Sequence, residues 1–157
     1  MEFIEELLGN KVLICAFLGY FIAQVVKIII EAFMNRTFSI WRLLSGNGGM
    51  PSSHSSTVCA LAVSCVLEIG PGSPAFAVSV ILAIIVMVDA RGVRRETGTQ
   101  AKVLNELMEF FSKLGTDQPR PQFSQQNLKE LIGHTPFQVL VGALLGSTIA
   151  IAAHFMW

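Results

Sequence analysis

The chain has 157 residues, of which 52% are hydrophobic and only 14% are charged, and its formal net charge at pH 7 is zero. A soluble domain usually has roughly a quarter of its residues charged, so this composition indicates an integral membrane protein within the lipid bilayer. The balanced charge argues against nucleic acid as a partner, and the length suits one membrane-embedded domain over residues 1–157.

Four apolar segments approach the length of a transmembrane helix, which is about 20 residues. They cover residues 12–33, 52–69, 73–88 and 135–157, and the second ends at the turn Gly70-Pro71-Gly72. The sequence therefore predicts an all-α membrane bundle of about four transmembrane helices.

A polar region with a different pattern separates the third and fourth apolar segments. In residues 99–114 apolar side chains recur at helical spacing opposite charged ones, which predicts an amphipathic helix at the membrane surface. Residues 115–126 contain two prolines and several glutamines and predict a loop, whereas residues 128–132 predict a short helical piece.

The basic residues gather on one side of the predicted bundle. Four spans place residues 35–50 and 90–134 together on that side, which carries Arg36, Arg42, Arg91, Arg94, Arg95, Lys102, Lys113, Arg120 and Lys129. The other side carries only Lys11. Because cytoplasmic loops are rich in lysine and arginine, we expect a multi-pass protein of the cell membrane whose polar clusters face the cytoplasm.

The first polar cluster leads into the second apolar segment and reads Gly48-Gly49-Met50-Pro51-Ser52-Ser53-His54. Glycine lets the backbone approach a ligand and proline is favoured at the first helical position, so Gly49 is expected beside an anion and Pro51 at a helix start. The amides of Ser52, Ser53 and His54 would then point at the anion. The alternative is an ordinary helix start with a histidine near the lipid headgroups.

A second histidine, His134, precedes the fourth apolar segment on the same side of the bundle. Thr135 as N-cap, Pro136 at the first helical position and Gln138 three residues after the cap predict a capping box. The sequence leaves open whether Thr135 and Gln138 only cap the helix or also serve catalysis. Two histidines beside an anion are the minimum for covalent phosphoryl transfer, since one imidazole attacks phosphorus and the other protonates the leaving oxygen.

Phosphoryl oxygens also need fixed positive charge, which Arg94, Arg95 and Lys27 can supply. Asp89, just before these arginines, would orient an imidazole or an arginine. One alternative is a basic membrane anchor in which Asp89 pairs with Arg94 or Arg95. The alternative for Lys27 is that it extends to the interface with Glu31 as its i,i+4 partner.

The sequence predicts neither a metal site nor a cofactor. Two histidines and one acid on separate elements lack the spacing of a zinc or di-metal site. The three cysteines, Cys15, Cys59 and Cys65, lie inside apolar runs and are interpreted as reduced, buried residues.

Two further features lie away from the polar clusters. His154 falls on the opposite side of the membrane and is excluded from the site. Gly142 and Gly146 form a GxxxG pattern, which favours close helix packing. That packing can occur within the chain or between chains, so a homo-oligomer is one expectation.

Three segments together resemble the divergent branch of the type 2 phosphatidic acid phosphatase (PAP2) family, also labelled acid phosphatase/vanadium-dependent haloperoxidase-related. They cover residues 48–54, 88–95 and 128–136 and occur in the family's order across nearly the whole chain. The resemblance implies a helical membrane protein that removes phosphate from lipid phosphates without a metal.

The resemblance also implies residue roles. In the broader family a Pro-Ser-Gly-His motif contacts phosphate and supplies the acid histidine, and Pro51-Ser52-Ser53-His54 matches it with serine in place of glycine. His134 takes the nucleophile's place. The family's arginine and aspartate fall on Leu128 and Gln138, and Lys27 is the nearest stand-in for an early basic motif. Asp89, and one of Arg94, Arg95 or Lys129, would have to replace the missing groups.

The sequence thus predicts a lipid-phosphate phosphatase in which His134 attacks and His54 protonates the leaving alcohol. The phosphoryl group would be held by Ser52, Ser53, Arg94, Arg95 and Lys27. Its substrate would be a phosphorylated membrane lipid of the cytoplasmic leaflet, such as phosphatidylglycerol phosphate, phosphatidic acid or a prenyl (pyro)phosphate. The alternative is a non-catalytic binder or carrier of phosphorylated lipid, which Gln138 in the acid's place supports.

Overall fold

A computed structural model describes residues 2–35, 49–113 and 133–157, except for the side chains of residues 34–35, 93–95 and 111–113. The helices in these ranges are α1 (Glu2–Leu8), α2 (Lys11–Asn35), α3 (Ser53–Glu68), α4 (Pro74–Arg91), α5 (Val93–Lys113) and α6 (Pro136–Met156). The described ranges contain no strand, so the all-α prediction is confirmed. The predicted loop at 115–126 and helical piece at 128–132 lie outside the described residues.

Within the described residues, three stretches of helix are long and apolar enough to cross a membrane. They are Lys11–Phe33, Pro74–Phe110 and Pro136–Met156, and the second runs across the junction of α4 and α5. Helix α3 occupies the predicted second span but has only 16 residues. At 1.5 Å per residue it is about 24 Å long, against a hydrocarbon core of about 30 Å, so the count of four spans stays a prediction.

Helix α3 is the centre of the bundle, because α6, α2 and α4 all pack against it. Its buried residues are small: Ser53, Ser55, Ser56, Val58, Ala60, Ser64 and Cys65. The large apolar side chains of the other helices point outward instead, including Phe21, Val25 and Ile29 of α2 and Leu140, Leu144 and Ile151 of α6. This arrangement suits lipid, where small residues let helices approach closely and large ones face the acyl chains.

Glycines on α2 and α6 bring these helices against the backbone of α3. A Cβ added at Gly142 or Gly146 would collide with the carbonyl oxygens of Ser52 and Ser56. On the other face of α3, the Ser56 hydroxyl donates to the Gly19 carbonyl of α2 at 2.8 Å. The GxxxG pattern of Gly142 and Gly146 therefore acts within the chain.

The ends of the helices opposite the candidate site are joined by polar contacts. Nδ1 of His154 lies 2.7 Å from Oε1 of Glu68, which links α6 to the last residue of α3. The ammonium of Lys11, at the start of α2, donates to the Trp157 carbonyl at 3.5 Å. At this end α2, α3 and α6 are therefore level with one another.

Two helices differ from the prediction. Helix α1 was not expected, although the acidic residues Glu2 and Glu5 in its first turn suit a helix N-terminus. Helix α5 begins at Val93 rather than near residue 99, because only Gly92 interrupts the helical backbone after α4. Val103, Leu104, Leu107 and Phe110 of α5 are exposed, as expected of an amphipathic helix.

Candidate functional site

Three helix ends meet at one end of the bundle and are joined by backbone hydrogen bonds. The amide of Ser52, at the start of α3, donates to the Gln138 carbonyl of α6 at 3.1 Å. The amide of His134, just before α6, donates to the Ala90 carbonyl in the last turn of α4 at 3.1 Å. The starts of α3 and α6 and the end of α4 are thereby brought into one cluster.

The two predicted histidines face each other in this cluster. The ring centroids of His54 and His134 are 6.0 Å apart and the rings are inclined by 62°. His134 is only 3% exposed and His54 is half-buried. The two rings are thus in an edge-to-face contact, which places the imidazoles next to each other at this end of the bundle.

The start of α3 differs from the prediction in two respects. The helix begins at Ser53, with Ser52 as its N-cap, so Pro51 lies before the cap and not at the first helical position. The Ser52 amide is already bonded to Gln138, and its Oγ accepts from the amide of Ser55 at 3.3 Å. The prediction that the Ser52 amide points at an anion is therefore wrong. The amides of Ser53 and His54 are the first two of the helix and point out of its N-terminus.

Lys27 is buried beneath the turn that leads into α3. It is 5% exposed, and within the described ranges its Nζ has no hydrogen-bond partner. Gly49 packs against it, because a Cβ added there would lie 3.4 Å from Lys27 Cδ and 3.4 Å from Glu31 Oε1. This burial does not agree with extension of Lys27 to the interface, whereas Glu31, its expected i,i+4 neighbour, lies close enough to attract it electrostatically. An ammonium in such a place favours an anion as neighbour.

Gly49 has the backbone conformation that its position requires. Its φ of +84° lies in the left-handed region, which residues with a Cβ adopt only with strain. The chain can therefore turn directly above Lys27 before entering α3. At Gly49 the backbone approaches Lys27 closely.

The acidic and basic residues after α4 are placed only in part. Asp89 is half-buried in the last turn of α4, one residue before the carbonyl that anchors His134. The backbone of Arg94 and Arg95 belongs to the first turn of α5, and their side chains lie outside the described part of the structure. Their roles, and that of Asp89, stay predictions.

Gln138, in the first turn of α6, contacts both Thr135 and His134. The Thr135 Oγ1 accepts from the Gln138 amide at 3.3 Å, and Gln138 Oε1 accepts from the Thr135 amide at 3.0 Å. The predicted capping box is thus confirmed. Oε1 of Gln138 also lies 3.4 Å from Nδ1 of His134, a contact that the sequence analysis missed. The spacing of four residues between the two was the available signal.

Comparison with known proteins assigns the family. The family model described as "Divergent PAP2 family" matches residues 8–149. The chain belongs to the divergent PAP2 family. It is 42% identical over 158 residues to the "Uncharacterized membrane protein YuiD" of Bacillus subtilis (strain 168), covering 96% of this chain and 99% of the relative. No solved structure matches the chain.

The structure shows where the residues that differ from the broader PAP2 pattern lie. Gln138 stands where that pattern has an aspartate, and it occupies the position beside His134 Nδ1. Lys27, the stand-in for the early basic motif, lies buried beside the glycine turn. His154 lies at the opposite end of the bundle beside Glu68, in agreement with its exclusion from the site.

Proposed function

We propose that this divergent PAP2 protein is a metal-independent lipid-phosphate phosphatase that works through a phosphohistidine. The observation that carries the proposal is the pair of facing imidazoles, His54 and His134, at 6.0 Å. The pair brings a nucleophile and a proton donor to one phosphoryl group, as acid–base and covalent catalysis require.

In the first step, a ring nitrogen of His134 attacks phosphorus and forms the P–N bond. The bond from phosphorus to the lipid alcohol oxygen breaks, and protonated His54 gives that oxygen its proton. In the second step, neutral His54 takes a proton from water as the water oxygen attacks phosphorus. The P–N bond then breaks, and inorganic phosphate leaves with His134 and His54 restored.

Positive charge at this end of the bundle supports an anionic substrate. Lys27 is a buried cation without a hydrogen-bond partner among the described residues, and the turn at Gly49 lies against it. The first amides of α3, at Ser53 and His54, add the partial positive charge of a helix N-terminus. Arg94 and Arg95 would make further contacts with the phosphoryl group, and Asp89 would orient one of these two arginines.

The proposed substrates are phosphorylated membrane lipids of the cytoplasmic leaflet, such as phosphatidylglycerol phosphate, phosphatidic acid or a prenyl (pyro)phosphate. The exposed apolar faces of α2 and α6 support a substrate that approaches through lipid. The cytoplasmic side is supported by the excess of lysine and arginine in residues 35–50 and 90–134 of the sequence.

The test is phosphate release from a panel of these lipids by the purified protein in detergent without added metal. His134→Ala is expected to abolish release, and His54→Ala to slow it by about 10²–10⁴-fold. His154→Ala is the matched control, because it removes the same side chain from the opposite end of the bundle. Vanadate, which imitates five-coordinate phosphorus, is expected to inhibit. Absence of release by the wild-type protein across the panel would refute catalysis.

A second candidate function is non-catalytic binding or carriage of phosphorylated lipid. The observation that favours it is Gln138, which presents a neutral amide to His134 where the broader PAP2 pattern has a carboxylate. In that case the wild-type protein would bind lipid phosphate in vesicles and release none, and His134→Ala would weaken binding without any change in turnover.

A further inference from the structure

Gln138 Oε1 faces two nitrogen atoms of the chain. It accepts from the Thr135 amide at 3.0 Å and lies 3.4 Å from His134 Nδ1. Both contacts arise within one turn, because residues 134, 135 and 138 surround the start of α6. The geometry therefore links the cap of the helix to the protonation of the histidine ring.

The Thr135 amide fixes which end of the glutamine side chain faces it. A backbone N–H can only donate, so the atom opposite must be the amide oxygen and not the amide nitrogen. The same oxygen faces His134 Nδ1 and has no hydrogen to donate. In the neutral ring, Nδ1 must then carry the proton, and the lone pair belongs to Nε2.

We infer that Gln138 is a positioning residue that holds His134 in the Nδ1-protonated tautomer, with Nε2 as the nucleophilic atom. This inference rests on the proposed function for its chemical consequence, although the tautomer itself does not depend on turnover. Nε2 is the atom that forms the P–N bond, and Nδ1 keeps its proton throughout both steps.

A neutral amide positions the His134 ring differently from a carboxylate. Glutamine orients the ring through a hydrogen bond but adds no negative charge to stabilise the imidazolium. Gln138→Glu should keep the tautomer, because a carboxylate oxygen also accepts a hydrogen bond and has no hydrogen to donate.

The test is nitrogen-15 NMR of histidine-labelled protein in detergent, with His134 assigned by the signals lost in His134→Asn. The wild-type ring is expected to show a protonated Nδ1 at high pH. Gln138→Leu is expected to lose this preference, and Gln138→Glu to restore it. Among the described residues, the other titratable groups at this end include His54 of α3, Asp89 and Arg91 of α4, and Lys27 and Glu31 of α2, and these are the same in all variants.

Thr135→Ala is the matched control for helix capping. It removes the Thr135 half of the capping box but leaves Gln138 and the Thr135 amide in place. The Nδ1 proton should therefore persist in Thr135→Ala, although the helix start loses one capping hydrogen bond. A wild-type His134 protonated on Nε2, or a tautomer unchanged in Gln138→Leu, would overturn the inference. Neither outcome depends on phosphatase activity, so failure of the proposed function is detected separately, by the release assay.

Discussion

The amide of Ser52 donates to the carbonyl of Gln138 at 3.1 Å, and this bond joins the start of α3 to the first turn of α6. His54 lies two residues after the donor, and His134 four residues before the acceptor. The distance between the two imidazoles is thus set by backbone geometry close to each ring. Changes that separate α3 from α6 should affect the site as well as the stability of the bundle.

Gly142→Ala and Gly146→Ala should force α6 away from α3. The added methyl groups would collide with the carbonyl oxygens of Ser52 and Ser56, and overpacking of this kind usually lowers the unfolding free energy by about 1–3 kcal/mol. The measurement is thermal unfolding in detergent, together with phosphate release. Gly72→Ala is the control, since a Cβ there has nothing within 4 Å. Equal stability of Gly142→Ala and Gly72→Ala would contradict the packing described here.

Lys27→Met should separate stability from binding. Burying an ammonium without a hydrogen-bond partner in the described ranges is unfavourable, so its removal is expected to raise the unfolding free energy by about 1 kcal/mol in the absence of phosphate. Affinity for vanadate should fall by about tenfold or more, because a charged hydrogen bond to the anion is lost. Both are measurable by thermal shift with and without vanadate. Lys102→Met, at a side chain that is 63% exposed, should change neither.

Gly49→Ala and Gly70→Ala form a matched pair. Both glycines have positive φ, +84° and +97°, so each alanine should destabilise the protein by about 1–2 kcal/mol through backbone strain. Only the Cβ at Gly49 meets Lys27 and Glu31, whereas the space around Gly70 is open. These are ordinary van der Waals contacts, so any effect on Lys27 would come from relaxation of the strained turn that packs against it, and that relaxation should weaken vanadate binding in the thermal-shift assay. A similar loss in Gly70→Ala would show that strain alone is responsible.

The orientation of the site predicts a labelling pattern. Arg91 and Pro71 are exposed at opposite ends of α4, near the site and far from it. In a background without the three native cysteines, Arg91→Cys is expected to react only with reagents that reach the cytoplasm. Pro71→Cys should react with impermeant reagents added to intact cells. The reverse pattern would place the site, and its substrates, on the outer leaflet.

Local features of this fold were predictable from the sequence. Apolar length located α2, α4 and α6, and the pattern Thr135-Pro136-Phe137-Gln138 gave the capping box at the correct residues. Proline at position 51 misled the prediction of the α3 start, because the Ser52 hydroxyl caps the helix and moves its first residue to Ser53. A local preference for proline at the first position was overridden by a side-chain hydrogen bond one residue later.

Contacts between helices were less predictable from the sequence. The sequence showed that His54 and His134 enter on the same side, but their separation depends on where Gly142 meets Ser52. The burial of Lys27 likewise depends on the turn at Gly49, which is distant in sequence. Such contacts arise from tertiary packing, which periodicity and capping rules do not encode.

The unequal lengths of α2 and α3 give the site depth. The two helices are level at the end where Lys11 and Glu68 lie, yet α2 has 25 residues and α3 has 16. Nine residues of helix amount to about 13 Å, so α2 continues roughly two turns beyond the level at which α3 begins, which is here called the floor of the site. Lys27 lies at the level of that floor. In the proposed reaction, a lipid phosphate that reaches Lys27 would have to pass alongside the last turns of α2.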